Sequence, residues 1–225
     1  MRLCISEGTA DQYGKRIASL SPQVGIVRLN YDGSFDPSAD GIEVFYLSED
    51  FWGRREAFRG VREIVEGQAL KWFHTSSAGI DNRLFQRILE RGVTLTHSPG
   101  LYARPIAEWL IGYMLHHVKR MPAHAQAQAA HEWTRQQSEE LTGKTVGIVG
   151  YGGIGQELAR LAKAFEMRVV ATKRTPVEHP NVDVLLPPDQ LVELLAVADF
   201  VVLATPLTEE TRGLIGAAEL AAMKP

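Results

Sequence analysis

The residues with the clearest chemical potential are the glycines of the run Gly150-Tyr151-Gly152-Gly153-Ile154-Gly155. This spacing is typical of a turn that binds dinucleotide phosphates when a strand precedes it and a helix follows it. Gly150 would allow the tight turn, Gly152 would let the backbone approach a pyrophosphate, and Gly155 would let helix and strand pack closely. We therefore predict a dinucleotide site here, with a ligand-free glycine turn as the alternative.

The sequence on both sides of the glycines supplies that context. Val146–Val149 is an apolar run that ends directly at the turn, which predicts a buried strand. The N–H groups at the start of the following helix would face the phosphates. The expected order is strand, turn, amphipathic helix, strand 167–171, helix and strand 200–204. The apolar face of the first helix is predicted at Leu158, Leu161, Ala162 and Phe165, and the second helix is predicted around Leu191, Leu194 and Leu195.

The end of the second strand indicates which dinucleotide would bind. An NAD enzyme places Asp or Glu there, on the ribose hydroxyl, but this chain has Thr172-Lys173-Arg174-Thr175. A guanidinium can form paired hydrogen bonds with a 2′-phosphate, which a carboxylate would repel. Arg174, assisted by Lys173, therefore favours NADP(H). NAD(H) stays possible, because a solvated basic loop would tolerate either cofactor.

Residues 1–100 alternate short β-rich runs with helical ones, the rhythm of a layered β-α-β fold. Leu84, Ile88 and Leu89 predict a helix, and Gly92 is a plausible stop. Five strands predict a flavodoxin-like sheet, from the runs Leu3–Ile5, Val24–Val27, Ile42–Leu47, Leu70–Phe73 and Val93–Thr96.

From Pro105 the pattern changes to a long helix, with apolar residues at helical spacing, that is predicted to continue past a kink at Pro122. We expect this helix to connect two domains, residues 1–100 and residues 101–225. The second domain is predicted to be a Rossmann-type dinucleotide-binding domain.

Composition narrows the classes of partner. With 45% hydrophobic and 23% charged residues the chain is expected to be globular, and a net charge of −3 argues against nucleic acid or an anionic membrane surface. No stretch is apolar enough for a signal peptide or a membrane span, which predicts a cytoplasmic location. Cys4 is the only cysteine, so we expect neither a disulfide nor a cysteine-based metal site, and the thiol is predicted to be packed and inert.

Besides the glycine turn, four stretches form a recognisable set: LTGKTVGIV at 141–149, DFVVLATPLTEETRGLI at 199–215, SAGID at 77–81, and SPG at 98–100 followed by PIAE at 105–108. Together they resemble the D-isomer-specific 2-hydroxyacid dehydrogenases, the family of glyoxylate/hydroxypyruvate reductases and phosphoglycerate dehydrogenase. The likeness covers roughly residues 70–225, is strongest over the glycine-turn domain, and is vague in the first 60 residues.

The resemblance implies a function and further site residues. It implies an NAD(P)-dependent oxidoreductase that reduces a small 2-oxo acid such as glyoxylate or hydroxypyruvate. The backbone at Ala78 and Gly79 would face the substrate carboxylate, and Thr205, Pro206 and Thr211 would border the cofactor. The fold would be α/β, a flavodoxin-like substrate domain followed by a Rossmann domain. A homodimer is implied as well, with the helix after Pro105 as a plausible contact.

The sequence departs from the family where the chemistry occurs. Family members continue beyond the position of Pro225 with a catalytic arginine, a glutamate, a histidine paired with it, and a helix that completes the first domain. Because none of these is present, we expect a C-terminally truncated chain with both domains incomplete, and we assign no catalytic residue. His97 is the only histidine near the predicted substrate loop, and the sequence shows no partner for it.

Three interpretations follow from this departure. The favoured one is a fragment of a dehydrogenase, because the cofactor residues keep their binding form. The second is a catalytically silent NAD(P)-binding module or a corepressor-like sensor. The third is a degraded, unstable product, since the strand predicted at 200–204 would be an unpaired apolar edge.

Overall fold

A computed structural model describes residues 1–175 and 178–225 of the chain. They form two compact units, Met1–Leu101 and Tyr102–Pro225. Each unit is a mainly parallel β-sheet with helices, which confirms the predicted α/β fold class. In the described part of the chain, no helix is long and apolar enough to cross a membrane, and no group of three or more His, Cys, Asp or Glu side chains could hold a metal ion.

The first unit has a six-stranded sheet with the strand order β3-β2-β1-β4-β5-β6. Only β3 runs antiparallel to its neighbour. Leaving that strand aside, this is the flavodoxin-like order. The elements are β1 (Arg2–Ser6), α1 (Glu7–Leu20), β2 (Gly25–Leu29), β3 (Phe35–Asp36), β4 (Val44–Leu47), α2 (Ala57–Glu66), β5 (Trp72–Thr75), α3 (Arg83–Glu90) and β6 (Thr94–His97).

The core of the first unit is built around phenylalanines. Phe45 on β4 and Phe73 on β5 are fully buried, and their rings meet edge to face at 5.1 Å. Cys4 is buried in the same core, and burial raises the pKa of its thiol to about 12. The prediction of a packed thiol is therefore confirmed.

Local capping residues set where two helices of this unit begin. The Ser6 hydroxyl accepts a hydrogen bond from the N–H of Thr9 at the start of α1. The Asn82 side chain accepts from the N–H groups of Leu84 and Phe85 at the start of α3. These bonds satisfy N–H groups that have no partner within the helix.

The second unit has a parallel four-stranded sheet with the order β10-β7-β8-β9. Its elements are α4 (Ala103–Val118), α5 (Met121–Ala129), β7 (Thr145–Val149), α6 (Gly153–Ala164), β8 (Arg168–Thr172), β9 (Val184–Leu186), α7 (Leu191–Val197), β10 (Phe200–Leu203) and α8 (Ala217–Ala221). Apolar residues of α4 and α6 pack on one face of the sheet and those of α7 on the other.

Some sequence predictions for these elements were wrong. The helix after Pro105 does not kink at Pro122 but ends at Val118, and α5 begins at Met121 after Arg120 in a left-handed conformation (φ 49°). A proline ring clashes with the carbonyl four residues earlier, which here belongs to Val118, so the break precedes the proline. Phe165, predicted on the buried face of α6, lies at its end and is exposed.

Candidate functional site

The glycine turn lies between the end of β7 and the start of α6. Gly150 has a φ of 99°, and a Cβ built on it would lie 2.8 Å from Cγ2 of Thr205 and 2.9 Å from the Thr205 nitrogen. Its N–H donates to the hydroxyl of Thr172 at the end of β8, over 3.2 Å. Only glycine can therefore occupy this position without displacing the loop that follows β10.

The other glycines of the turn have different surroundings. A Cβ on Gly155 would lie 2.6 Å from the carbonyl oxygen of Gly150, so the first turn of α6 packs directly on the loop backbone. Gly152 precedes α6 and is exposed, and a Cβ there would meet no protein atom within 4 Å. The space in front of Gly152 is thus open for a ligand to approach the backbone. Gly153 is the exposed first residue of α6, and Ile154 is half-buried beside it.

A cavity of about 520 Å³ opens at the carboxyl ends of β7, β8 and β10. This is the edge where parallel α/β sheets bind ligands. Of the predicted cofactor residues, the cavity lining includes Gly150, Gly152, Lys173, Arg174, Thr205, Pro206 and Thr211. The open backbone at Gly152, the start of α6 and the basic residues fit the pyrophosphate and phosphate groups of a dinucleotide.

The basic residues follow β8 directly. Lys173 is half-buried and its N–H donates to the carbonyl of Leu186 over 3.0 Å, while Arg174 is exposed. Neither side chain forms an ion pair with any described residue. Both line the cavity, and the only acidic residue among its described lining is Glu210. The two positive charges are therefore available to an anionic ligand.

The loop after β10 forms the opposite wall of the cavity. The N–H of Ala204 donates to the Val149 carbonyl over 2.8 Å, which keeps the chain beside β7 after the strand has ended. The hydroxyl of Thr211 donates to the carbonyl of Pro206 over 2.6 Å and accepts from the N–H of Thr208 over 2.8 Å. These bonds hold the loop in one conformation next to the glycine turn.

Ala78 and Gly79 lie in the first unit, in the exposed loop that follows β5. Nδ1 of His97 donates its proton to the Ala78 carbonyl over 2.9 Å, and Ser76 anchors the loop start through its N–H to the Leu47 carbonyl, over 3.2 Å. No acceptor for the N–H of Ala78 or Gly79 is present among the described residues. The start of this loop is therefore held by hydrogen bonds at Ser76 and Ala78, and both Ala78 and Gly79 are exposed.

Sequence reasoning missed several cavity residues. Tyr151 occupies a variable position of the glycine motif, yet its side chain is 2% exposed and its hydroxyl is 2.8 Å from Nδ1 of His179. No periodicity or spacing could indicate this pair, because it joins residues from two separate loops. The other residues missed are Val149, Thr172, Thr175, Pro188, Leu191, Ala204, Thr208, Glu210 and Leu214.

Comparison with protein families gives one match over the second unit. Residues 111–225 match the family model described as "D-isomer specific 2-hydroxyacid dehydrogenase, NAD binding domain". The matched segment contains the glycine turn, the basic residues after β8 and the loop after β10.

Individual proteins similar to this chain carry related names. A hydroxypyruvate reductase of Thermotoga maritima is 34% identical over 173 residues, which are 76% of this chain and 56% of that protein. A glyoxylate reductase of Thermococcus gammatolerans is 34% identical over 158 residues, 66% of this chain and 47% of that protein. The match therefore spans about half the length of these curated relatives.

The fold comparison extends over almost the whole chain. The crystal structure of a glyoxylate reductase from Paecilomyes thermophila has a TM-score of 0.76 and 25% identity, covering 99% of this chain and 70% of the other.

Proposed function

Since the chain belongs to the D-isomer-specific 2-hydroxyacid dehydrogenase family and carries its nicotinamide-dinucleotide domain, we propose that it is part of an oxidoreductase acting on small 2-hydroxy acids. The bound cofactor would exchange a hydride with the C2 carbon of a 2-oxo acid such as glyoxylate or hydroxypyruvate. The chain's own residues would bind and orient the two reactants.

The observation that carries this proposal is the cavity beside the glycine turn. Gly152 lines this cavity with open backbone and directly precedes the 12-residue helix α6. A helix start with free N–H groups stabilises phosphate by hydrogen bonding and by its positive dipole end. Thr205 and Pro206 would border the remainder of the cofactor from the opposite wall.

NADP(H) is the proposed cofactor. Arg174 and Lys173 line the cavity just beyond β8, and no described residue neutralises them. A 2′-phosphate on the adenosine ribose would supply the missing negative charge, with two oxygens available to the Arg174 guanidinium. NAD(H) would leave both positive charges unused.

Ala78 and Gly79 are the proposed carboxylate-binding residues. Both residues are exposed, and the bonds of the Ser76 N–H to Leu47 and of His97 to the Ala78 carbonyl restrain the loop that carries them. Two backbone donors on a rigid loop suit a carboxylate, since little ordering is needed on binding.

A catalytically silent NAD(P)-binding protein is the second candidate. It is favoured by one observation: no histidine occurs among the described residues that line the cavity. His179, the histidine bonded to Tyr151 of the glycine turn, is not among that lining. The predicted sensor role requires cofactor binding but no proton donor.

One experiment separates the two candidates. NADPH and NADH binding to this chain would be measured by fluorescence titration, and NADPH oxidation with glyoxylate and with hydroxypyruvate would then be followed with the protein purified from its native source, because no catalytic residue is assigned within these 225 residues. Binding together with turnover supports the dehydrogenase. Binding without turnover supports the silent module, and failure of both nucleotides to bind contradicts both candidates. NADH binding tighter than NADPH would contradict the proposed cofactor preference alone.

A homodimer is proposed through α4. Trp109 and Tyr113 on this helix are 67% and 61% exposed, and their rings are 5.2 Å apart. They line an open surface groove of about 680 Å³ with Pro105, Glu108, Gly112 and His116. Paired exposed aromatic side chains are typical of protein interfaces.

The cytoplasmic location stays a prediction from the sequence.

A further inference from the structure

Tyr151, a variable residue of the glycine turn, contributes its backbone to the turn and its side chain to the core of the second unit. Its backbone is part of the turn, and its N–H donates to the carbonyl of Thr172 over 2.9 Å. Its ring is 2% exposed and packs in the apolar core of the second unit, with Ile148 and Leu158 among the residues of that core. The ring is therefore held by the core of the second unit, while Tyr151 also belongs to the cavity lining.

The hydroxyl of this buried tyrosine has one partner. It shares a hydrogen bond of 2.8 Å with Nδ1 of His179, and the two rings meet edge to face at 5.1 Å. His179 is half-buried and lies five positions after Arg174, in the connection between β8 and β9. Because the Tyr151 side of this bond is buried, the bond is stronger than one fully exposed at the surface.

Described residues on both sides of Arg174 are thus bonded to the glycine turn or to the neighbouring strand. On one side, Thr172 accepts from the N–H groups of both Gly150 and Tyr151, and Lys173 donates its N–H to Leu186. On the other side, His179 is bonded to Tyr151. The glycine turn is therefore bonded to Thr172 before Arg174 through two backbone N–H groups and to His179 after it through the side chain of Tyr151.

We propose that Tyr151 and His179 are positioning residues for cofactor choice, which hold the Lys173–Arg174 segment where it binds the 2′-phosphate of NADP(H). The inference rests on the proposed NADP(H) preference and extends it. Binding a phosphate with an arginine requires the guanidinium in one orientation, and ordering a loose loop would reduce the affinity. The Tyr151–His179 bond supplies that order before the ligand arrives.

The test uses two small probes that differ by one phosphate. Adenosine 2′,5′-bisphosphate carries the 2′-phosphate and 5′-AMP lacks it, so the ratio of their Kd values isolates that group without requiring catalysis. Tyr151→Phe removes the hydroxyl and keeps the buried ring. We expect it to raise the Kd of the bisphosphate by about threefold to tenfold, the worth of one hydrogen bond, and that of 5′-AMP by less than about twofold.

Matched variants identify the bond as the cause. Tyr13→Phe also removes a tyrosine hydroxyl, at an exposed position of the first unit outside the cavity, and should leave both Kd values unchanged. His179→Phe keeps a ring beside Tyr151 and should match Tyr151→Phe. The double variant should be no worse than either single variant, because both remove the same bond. His179→Asn retains a polar atom near the position of Nδ1 and should restore part of the selectivity.

Failure of the inference is distinguishable from failure of the proposed cofactor preference. If the unaltered chain binds the bisphosphate no more tightly than 5′-AMP, the NADP(H) preference is wrong and the positioning role falls with it. Suppose instead that the unaltered chain prefers the bisphosphate. If Tyr151→Phe then weakens the binding of both probes equally, or the binding of neither, the cofactor preference stands and the positioning role is wrong.

Discussion

Gly150 and Thr205 are so close that a single methyl group could not be placed between them: a Cβ on Gly150 would lie 2.8 Å from Cγ2 of Thr205. The contact joins the turn after β7 to the loop after β10, two neighbouring strands of one sheet. The two walls of the cavity are therefore fixed relative to each other by a residue without a side chain.

Alanine substitutions at two glycines of the turn should distinguish a role in stability from a role in cofactor binding. Gly150→Ala should destabilise the second unit by about 2 kcal/mol or more, through the clash and the positive φ, and should abolish NADPH binding. Gly152→Ala should leave the melting temperature unchanged, because the added Cβ meets no protein atom and φ is −90°. It should nevertheless weaken NADPH binding at least tenfold by blocking approach to the backbone. Equal effects of the two variants on melting would contradict this assignment.

Arg174→Ala tests the basic residue itself. Losing a charged hydrogen-bond donor to phosphate should weaken NADPH binding by about 1.5–3 kcal/mol and change NADH binding little. Arg168→Ala removes an exposed arginine from the other end of β8 and serves as the control. Both would be measured by fluorescence titration at fixed salt, since ionic strength screens such contacts. A parallel loss in both arginine variants would indicate a general charge effect.

Asp183 should make stability depend on pH. Its carboxylate accepts from the N–H of Val169 over 2.7 Å and pairs with Lys163 at 2.9 Å, and these contacts hold its pKa below the usual 3.8. The contribution is therefore present above pH 3.8 and is lost as the pH falls through the lower, folded-state pKa.

Asp183→Asn resembles the protonated side chain, so it should be less stable than the unaltered chain by about 1 kcal/mol at pH 7. In urea unfolding the difference should shrink progressively as the pH falls below 3.8, because the carboxylate is then protonated in the unfolded chain and increasingly in the folded one. Asp189→Asn, which removes an exposed charge without a hydrogen-bonded partner among the described residues, should show no such trend. A difference that persists unchanged at low pH would exclude the carboxylate as its source.

Trp109→Lys tests the proposed dimer surface. Placing a charge at the centre of the exposed aromatic pair should shift sedimentation from dimer to monomer at micromolar concentration. Trp133→Lys is the matched control, because Trp133 is 95% exposed and lies outside the groove on α4. If the unaltered chain sediments as a monomer, or if both variants dissociate it equally, α4 is not the contact.

The order of strand, glycine turn, helix and strand in the second unit follows from the sequence, and the structure confirms it. These elements are predictable because each depends on neighbours in the chain: an apolar run, a glycine spacing and a helical face. The structure also confirms the five predicted strands of the first unit, which were predictable because each is a local apolar run. The two-residue strand Phe35–Asp36 and the three-residue strand Val184–Leu186 were missed, since strands this short produce no alternation.

The glycine spacing, the absence of an acid after β8 and the basic pair at Lys173–Arg174 are properties of the sequence by itself. Only the tertiary structure decides that Gly150 contacts Thr205, 55 positions away, and that Tyr151 bonds to His179, 28 positions away. The physical reason is that local propensities act over a few residues. Contacts between loops instead depend on how parallel strands align their carboxyl ends, which is set by packing of the whole sheet.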